Sequence, residues 1–407
     1  MADSLDAPLA VLGVLLIGGA LAAGLARRSF VSLTAGFVLA GFALGEGGLA
    51  ILDFDPRSGF VSTLAVVALI LILFRDGLEV EAEMLQTAWH LPLRKLLLAM
   101  PLTALLVACA TAALTDLSWT QAFLVGALLS PTDPVLSSSV VTNPRVPRII
   151  RHSLNLESGM NDGLALPGVL AFTAALSATQ DDFVWWRFLL QDISLGMATG
   201  IVVGLVASRL MPRETALGHE ISPHQKSLYA LGVAFTAYGV AVLPPEGNGL
   251  IAVFVAAITL GIRRADLREC FEARSQDVIE LVKLGVFVVF GASLTLDAVL
   301  RDGWAAVGIV AFTLLAARPL AVFAALAGSR QVDVAGKAFM AWFGPKGVAT
   351  MTFGLFVLTA GVSDGERIFD IAALAVLTSI VVHGLTDHAG AEWMARRAER
   401  VRTAAAA

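Results

Sequence analysis

Four polar residues recur at helical spacing inside an otherwise apolar part of the chain. Glu157, Ser158, Asn161 and Asp162 lie in the stretch LNLESGMNDGLALP, three and four positions apart. In an α-helix this spacing places all four side chains on one face. A carboxylate within a bilayer is costly unless it is paired or hydrated, so it marks a functional candidate. Asp162 is therefore predicted to be functional. Glu157 is either functional or a charge at the cytoplasmic end of the helix.

A second group of polar residues lies where prolines interrupt an apolar run. In GALLSPTDPVLSSSVV, Pro131 and Pro134 remove backbone donors on both sides of Thr132 and Asp133. We expect the helix to unwind here and its free backbone groups to face a cavity, because lipid leaves such groups unsatisfied. A simple proline kink is the alternative.

A similar interruption occurs about 214 residues later, in AWFGPKGVATMTFG. Gly344, Pro345 and Gly347 break this run, and Lys346 stands at the break. The ends of the resulting half-helices carry partial charges, positive at N-termini and negative at C-termini. Asp133 is predicted to neutralise the positive ends and Lys346 the negative ends. Alternatively, Lys346 lies at a helix end and extends its ammonium group to the surface.

The composition requires that these residues be positioned by membrane helices. The chain has 407 residues, of which 57% are hydrophobic and 15% charged, and its mean hydropathy is +0.79. A soluble domain carries roughly 25% charged residues. Apolar runs of about 20 residues, the length that crosses a bilayer, recur along nearly the whole chain. We therefore predict an all-α polytopic membrane protein, with the lipid bilayer rather than a nucleic acid as its partner.

Thirteen candidate spans can be assigned to the apolar runs. They cover approximately 8–26, 29–46, 60–76, 94–115, 119–140, 156–178, 188–210, 226–243, 248–262, 276–296, 303–327, 334–360 and 366–387. With this assignment most of the 28 Lys and Arg residues fall in or beside loops on one side, and Arg94 and Lys95 flank one of these loops. Only Arg57, Arg187, Arg301 and Arg367 fall on the other. Since basic loops face the cytoplasm, the N-terminus is predicted outside and the C-terminus inside the cell (inner) membrane.

The span positions also predict an internal symmetry. A shift of about 214 residues places the first six spans on the last six, and seven spans precede the eighth. The halves, about 8–178 and 226–387, would then be inverted repeats joined by a linking helix at about 188–210. A short cytoplasmic tail, 388–407, would follow. The two broken helices would cross near the midplane of a single transmembrane domain.

Three other polar residues fall within predicted spans. Arg318 lies deep in its span and needs an anionic or amide partner. Lys283 is near a cytoplasmic end, where its side chain can extend to the interface. His383 is interpreted as a packing residue. No His-Glu-x-x-His motif, nucleophile elbow or phosphate loop is present, which argues against a membrane-embedded enzyme.

At these motifs the sequence resembles the monovalent cation:proton antiporters, in particular the bacterial sodium/proton exchangers of the CPA1 type. The motifs that carry the resemblance are SPTDPV at 130–135, ESGMNDG at 157–163, NGLIAVFVAAITLG at 248–261, the span containing Arg318, and GPKGVAT at 344–350.

The resemblance implies a role for each matching residue. Asp162 would bind a cation and a proton in turn, with Ser158 and Thr132 as oxygen ligands of the metal ion. Asp133 would be the charge at the crossing of the broken helices. Asn161 would belong to an adjacent polar network that includes Arg318. The family also suggests a homodimer, and no cofactor other than the transported ions, Na⁺ or K⁺ and H⁺.

Two positions depart from the pattern of the family. Many relatives carry an acidic residue just after the Phe of a third-span motif, where this chain has Arg75 followed by Asp76. Asp76 is a candidate for the same role. Many relatives also carry Arg where Lys346 stands, so the positive charge is kept but the planar, forked donor group is lost.

These observations predict a secondary antiporter in which ionised Asp162 binds either a monovalent cation or a proton. Only the neutralised forms would cross, because a bare carboxylate is costly in a low-dielectric barrier. One such carboxylate, beside Asn161, favours electroneutral exchange. A gated cation channel and an ion-coupled transporter of small solutes remain as alternatives.

Overall fold

The computed structural model is helical through nearly all of its described residues. It describes residues 33–55, 58–80, 90–133, 138–177, 184–212 and 221–406, and also residues 10, 13, 14 and 17. Within these ranges we number fifteen helices, of which α3, α7 and α12 each contain a π-helical turn. They are α1 Leu33–Leu44, α2 Gly59–Glu79, α3 His90–Leu114, α4 Trp119–Leu129, α5 Ser138–Thr142, α6 Arg148–Ser177, α7 Trp185–Leu210, α8 Pro223–Ala241, α9 Gly249–Arg263, α10 Ala265–Ala292, α11 Leu296–Val299, α12 Trp304–Ala325, α13 Val334–Trp342, α14 Val348–Thr359 and α15 Gly365–Ala406.

The membrane character of the fold is confirmed by helix length and composition. Five described helices are long and apolar enough to span a bilayer, namely α2, α3, α7, α12 and α15 as far as Val401. Four shorter apolar helices accompany them, at Thr34–Leu44, Trp119–Leu129, Gly249–Arg263 and Val348–Thr359. The predicted span at 8–26 lies almost wholly outside the described residues, so the total of thirteen stays a prediction.

Most predicted spans coincide with a helix, and the main differences are at helix ends. Helix α6 begins at Arg148, eight residues before the predicted span, because the polar segment that precedes Glu157 continues the same helix. Helix α15 continues from Gly365 to Ala406, so the predicted tail 388–407 extends the last span as helix over its described part. The spans at 119–140 and 334–360 are each divided into two helices, as the prolines and glycines predicted.

The chain divides into two compact units. The first comprises Met1–Leu64, His90–Ser158 and Leu284–Ala407, and the second Ala65–Trp89 and Gly159–Lys283. Both broken segments, around Pro131 and around Pro345, belong to the first unit.

In the first unit, α1 packs directly on the end of α10. A Cβ atom on Gly41 would collide with the backbone of Val288, and one on Gly45 with the backbone of Ala292. A Cβ atom on Gly291 would in turn collide with the backbone of Val38. The absence of side chains on both helices lets their backbones touch, as is common between membrane helices.

In the second unit, a polar cluster joins the ends of α7, α8 and α10 at the edges of the predicted spans. The guanidinium group of Arg264 donates to the carbonyl oxygens of Ser208 (3.2 Å) and Met211 (2.6 Å) at the end of α7. It also donates to both carboxylate oxygens of Asp266 at the start of α10, at 2.8 and 2.9 Å. The ammonium group of Lys226 on α8 is 3.3 Å from the same carboxylate. The hydrogen bond from Arg264 is the main cause that lowers the pKa of Asp266 to about 2.

Candidate functional site

The two broken segments meet in the first unit. Helix α4 ends at Leu129, and residues 130–133 have no helical structure. Helix α13 ends at Trp342, residues 343–347 are non-helical, and α14 begins at Val348. The backbone N–H of Asp133 donates to the carbonyl oxygen of Pro345 at 2.8 Å. This bond joins two breaks about 214 residues apart, which excludes a simple proline kink. Pro134 lies outside the described residues.

Asp133 lies at the positive end of a half-helix, as its charge predicted. Its carboxylate accepts the backbone N–H of Val348, the first residue of α14, at 3.0 Å. The side chain is 9% exposed. A Cβ atom on Gly347 would be 2.6 Å from Oδ2 of this carboxylate, so only glycine leaves room for it. The carboxylate thus compensates free N–H groups and the positive end of the α14 dipole.

Lys346 compensates the opposite kind of end. Its side chain is fully buried, and Nζ donates to the carbonyl oxygens of Pro131 at 3.0 Å and Ser130 at 3.4 Å. The hydroxyl group of Thr350 donates to the carbonyl oxygen of Leu128 at 3.0 Å. These donors satisfy carbonyl oxygens at the C-terminal end of α4, which have no partner within the helix. Complete burial excludes the alternative in which Lys346 extends to the membrane surface.

A small cavity lies beside this crossing. Its polar lining is formed by Thr132, Glu157 and Ser158, and its apolar lining by Val141, Leu154, Phe343, Gly344 and Pro345. The centre of a water-sized sphere can occupy about 10 Å³ of it. That is close to the smallest volume that holds one water molecule. Thr132 and Ser158, the two predicted oxygen ligands, therefore line the same cavity.

Glu157 is at the centre of a buried charge cluster. Its two carboxylate oxygens accept from Nη1 and Nη2 of Arg318 at 3.1 and 3.4 Å. Its Oε2 atom is also 2.5 Å from Nζ of Lys95. All three side chains are 7% exposed or less. Glu157 is thus not a solvated helix-end charge, and it is the anionic partner that Arg318 was expected to need.

Lys95, predicted at the edge of a cytoplasmic loop, does not extend into solvent. Lys95 is fully buried at the first position of the π-helical turn in α3, at Lys95–Ala99. Such turns are often found at functional sites. The sequence places Lys95 directly after Arg94, which suggested a basic loop. Its partner Glu157 is 62 positions away, and nothing in the local pattern indicates that pairing.

Arg318 also supports the second broken helix. Its guanidinium group donates to the carbonyl oxygens of Met340 (3.3 Å) and Ala341 (3.2 Å), near the end of α13. Gly344 lies against the guanidinium group, where a Cβ atom would overlap it. Arg318 therefore holds the last carbonyls of α13 while it pairs with Glu157, so one cation serves both the break and the cavity.

The remaining predicted site residues belong to the second unit. Asn161 and Asp162 are buried on α6, with exposures of 2% and 8%. Asp162 is four positions after Ser158 on this helix, one turn further along the same face. Asp76 on α2 is 1% exposed and accepts from Nε and Nη2 of Arg75 at 2.9 and 2.6 Å. The predicted carboxylates are thus inside the protein.

A polar stripe on α15 was not predicted from the sequence. We define the α15 stripe as Ser379, His383 and Asp387, three buried residues four positions apart on one helical face. The hydroxyl oxygen of Ser379 accepts the backbone N–H of Lys346 at 2.7 Å. A carboxylate oxygen of Asp387 accepts the backbone N–H of Val140 on α5 at 3.2 Å. The spacing itself was the available signal, since three polar residues at this interval are unusual in an apolar helix.

His383 joins the stripe to α13. Its Nε2 atom is 3.0 Å from the carbonyl oxygen of Trp342, the last residue of that helix. Its Nδ1 atom is 3.0 Å from the hydroxyl oxygen of Ser379 and also 3.0 Å from the carbonyl oxygen of Ser379. The interpretation of His383 as a packing residue therefore omits three polar contacts. One is with Trp342, which directly precedes the broken segment 343–347, and another is with the Ser379 hydroxyl group that binds Lys346 in that segment.

A membrane bundle in which two broken helices meet, with buried charges at their ends, defines the class of ion-coupled transport proteins. Residues 12–389 match the family model described as "Sodium/hydrogen exchanger, transmembrane". The chain belongs to this family of transporters. The resemblance to CPA1-type exchangers is thereby confirmed.

Two relatives and one solved structure illustrate the relationship. The chain is 27% identical over 405 residues to the K⁺/H⁺ antiporter NhaP of Alkalimonas amylolytica, covering 96% of this chain and 67% of that protein. It is 29% identical to the Na⁺/H⁺ antiporter NhaG of Bacillus atrophaeus, with 82% and 65% covered. The chain thus spans about two thirds of the length of these relatives. The fold is similar to the sodium proton antiporter MjNhaP1 of Methanocaldococcus jannaschii at pH 8, with a TM-score of 0.80, 18% identity, and 95% and 98% of the two chains covered.

Proposed function

We propose that the protein is a secondary antiporter that exchanges a monovalent cation, sodium or potassium, for protons by alternating access. The observation that carries the proposal is the crossing of the broken segments beside a cavity with Thr132 and Ser158 in its lining. Oxygen atoms at such a cavity suit a small dehydrated cation. Asp133 and Lys346 stabilise the unwound backbone there, so its stability does not depend on a bound ion. The chain belongs to a family of transporters, which supports the same class of activity.

Asp162 is the proposed carboxylate for which cation and proton compete. It is buried on α6, one turn after the cavity residue Ser158 on the same helical face. An ionised carboxylate in this position attracts either ion, and carrying either one neutralises it. Since the empty, charged form is costly to move across a low-dielectric barrier, the two fluxes become coupled. Asn161 contributes no charge beside it, which supports an electroneutral exchange.

The test is exchange by purified protein in proteoliposomes with an internal pH dye. Addition of Na⁺ or K⁺ should move protons in the opposite direction, and the cation that gives the larger response identifies the physiological substrate. Asp162→Asn should abolish the exchange while the protein keeps its helical content. Asp277→Asn, which changes an exposed carboxyl group on α10, is the matched control and should exchange like the wild type. Retained coupled exchange in Asp162→Asn would reject the assignment.

Further measurements test the stoichiometry and distinguish antiport from the alternative functions. Clamping the membrane potential should leave the exchange rate unchanged if the process is electroneutral, and a strong voltage dependence would refute that stoichiometry. Unitary currents without proton movement would instead indicate a channel. Exchange that requires an organic solute would indicate a small-solute transporter.

We further propose a homodimer in the inner membrane, built on inverted repeats at about 8–178 and 226–387 with a linking helix at about 188–210. The N-terminus would be outside and the C-terminus cytoplasmic. Cys270, a partly exposed thiol on α10, lies on the proposed cytoplasmic side. A membrane-impermeant maleimide should label it only after the cytoplasmic face is opened, and labelling of intact cells would reverse the orientation. The mass of the protein in native membranes or nanodiscs tests the dimer.

A further inference from the structure

We infer that His383 is a positioning residue of the transport site, acting through Ser379 on the backbone of the broken segment 343–347. The inference rests on the proposed function for its effect on transport, and on the hydrogen bonds around His383 for its structural part. His383 is not one of the residues that line the cavity, so its influence on the ions is indirect.

Both ring nitrogens of His383 have polar partners at 3.0 Å. Nε2 faces the carbonyl oxygen of Trp342, and Nδ1 faces both the hydroxyl oxygen and the carbonyl oxygen of Ser379. A neutral imidazole has one N–H donor and one acceptor nitrogen. In one tautomer Nδ1 accepts the hydroxyl proton of Ser379, and in the other its N–H group is directed at the oxygen atoms of Ser379. In both tautomers the Ser379 hydroxyl group has His383 as a partner.

The hydroxyl oxygen of Ser379 is also the acceptor for the backbone N–H of Lys346, at 2.7 Å. The contact with Nδ1 restricts rotation of the Ser379 side chain and keeps this oxygen directed at Lys346. Without a polar group at the position of Nδ1, the Ser379 side chain is free to rotate to other partners and the bond to Lys346 is weakened.

Lys346 transmits the effect to the cavity. Its Nζ atom donates to the carbonyl oxygens of Ser130 and Pro131, the two residues that precede the cavity residue Thr132. Lys346 is completely buried, so water cannot replace a hydrogen bond that its Nζ atom loses when its backbone shifts. The chain of contacts runs from His383 through Ser379 and Lys346 to the backbone that places Thr132. Loss of the contact between His383 and Ser379 should therefore weaken cation binding more than it slows turnover.

The test compares three variants of the full-length protein. His383→Asn keeps a polar group, able to donate or accept, near the position of Nδ1. His383→Leu removes both polar atoms, and His388→Asn, which changes an exposed histidine on the same helix, is the control. In proteoliposomes we expect His383→Leu to raise KM for the cation about three- to tenfold, the factor that corresponds to one neutral hydrogen bond, with a smaller change in Vmax. His383→Asn should restore KM to near the wild-type value.

Hydrogen exchange at the amide of Lys346 gives a readout that does not need transport. Its protection should fall in His383→Leu and recover in His383→Asn, even if the wild-type protein fails to exchange ions and the proposed function is rejected. If His383→Leu does not fold, Ser379→Ala, which removes the same acceptor for Lys346, should show the same loss of protection. Equal KM and equal protection in the wild type and in His383→Leu would overturn the inference, as would an identical defect in His383→Asn and His383→Leu.

Discussion

Removal of the charge on Glu157 should destabilise the protein more than removal of the charge on Lys95. In Glu157→Gln, the ammonium group of Lys95 and the guanidinium group of Arg318 lose the carboxylate that both contact, at 2.5 and 3.1 Å. Lys95 is 0% exposed and Arg318 5%, so water cannot replace the lost partner. Leaving a buried charge without its partner typically costs about 3–5 kcal/mol.

The same geometry predicts a milder effect for the opposite change. In Lys95→Met the carboxylate of Glu157 keeps two hydrogen bonds from Arg318, and one fully buried charge is removed. We expect this variant to lose less, about 1 kcal/mol, because the carboxylate that remains still has a cationic partner and no buried charge is left unpaired. The double variant Glu157→Gln/Lys95→Met should recover part of the stability lost in Glu157→Gln, since only Arg318 then lacks an anion.

The assay is the free energy of unfolding in mixed micelles, measured for the three variants and for Glu280→Gln, an exposed glutamate on α10. The coupling energy between positions 95 and 157 follows from the double-mutant cycle. The reasoning is refuted if Glu157→Gln stays within about 1 kcal/mol of the wild type, or if Lys95→Met costs as much as Glu157→Gln. Glu280→Gln should not differ from the wild type.

Two further predictions concern residues outside that cluster. The pKa of Asp266 is lowered from 3.8 to about 2, so its contribution to stability is complete above about pH 4 and is lost as the pH falls toward 2. At neutral pH, Asp266→Asn should therefore cost about 1 kcal/mol after allowance for solvent screening, and the gap to the wild type should close between pH 4 and pH 2 in urea titrations. A gap that persists at pH 2 would contradict the role of the charge. Gly347→Ala should cost about 1–3 kcal/mol, because its methyl group would collide with the carboxylate of Asp133. Gly239→Ala, where a Cβ atom meets nothing within 4 Å, should instead be neutral or stabilising, and equal thermal midpoints for these two variants would exclude the predicted collision.

The helices and the breaks were predictable because their causes are local. Apolar length marks the spans, and Pro131, Gly344 and Pro345 lie just after the residues at which α4 and α13 end. The contact between the breaks was also predictable, since the shift of about 214 residues brings Asp133 onto Gly347. The predicted roles of Asp133 and Lys346 followed from their charge and from the sign of the helix dipole, so no coordinates were needed for them.

Partnerships between distant residues were not predictable. Lys95 follows Arg94 and precedes a leucine run, a pattern that is also typical of a cytoplasmic helix end. Whether its side chain turns to solvent or to Glu157 depends on the packing of α3 against α6 and α12, which periodicity does not contain. His383 was underestimated for the same reason. A lone histidine in an apolar helix is ambiguous, and its role depends on the carbonyl oxygen of Trp342, 41 positions earlier.

The contact between α1 and the end of α10 restricts how the protein deforms while it works. Gly41 and Gly45 meet the backbone of α10 over two successive turns, and no side chain fills the space between. No flexible side chain separates the two backbones here, so a small displacement of this end of α10 should displace α1 as well. We therefore expect α1 and this end of α10 to move as one rigid body. The movement that a transport cycle requires should then occur at contacts between other helices.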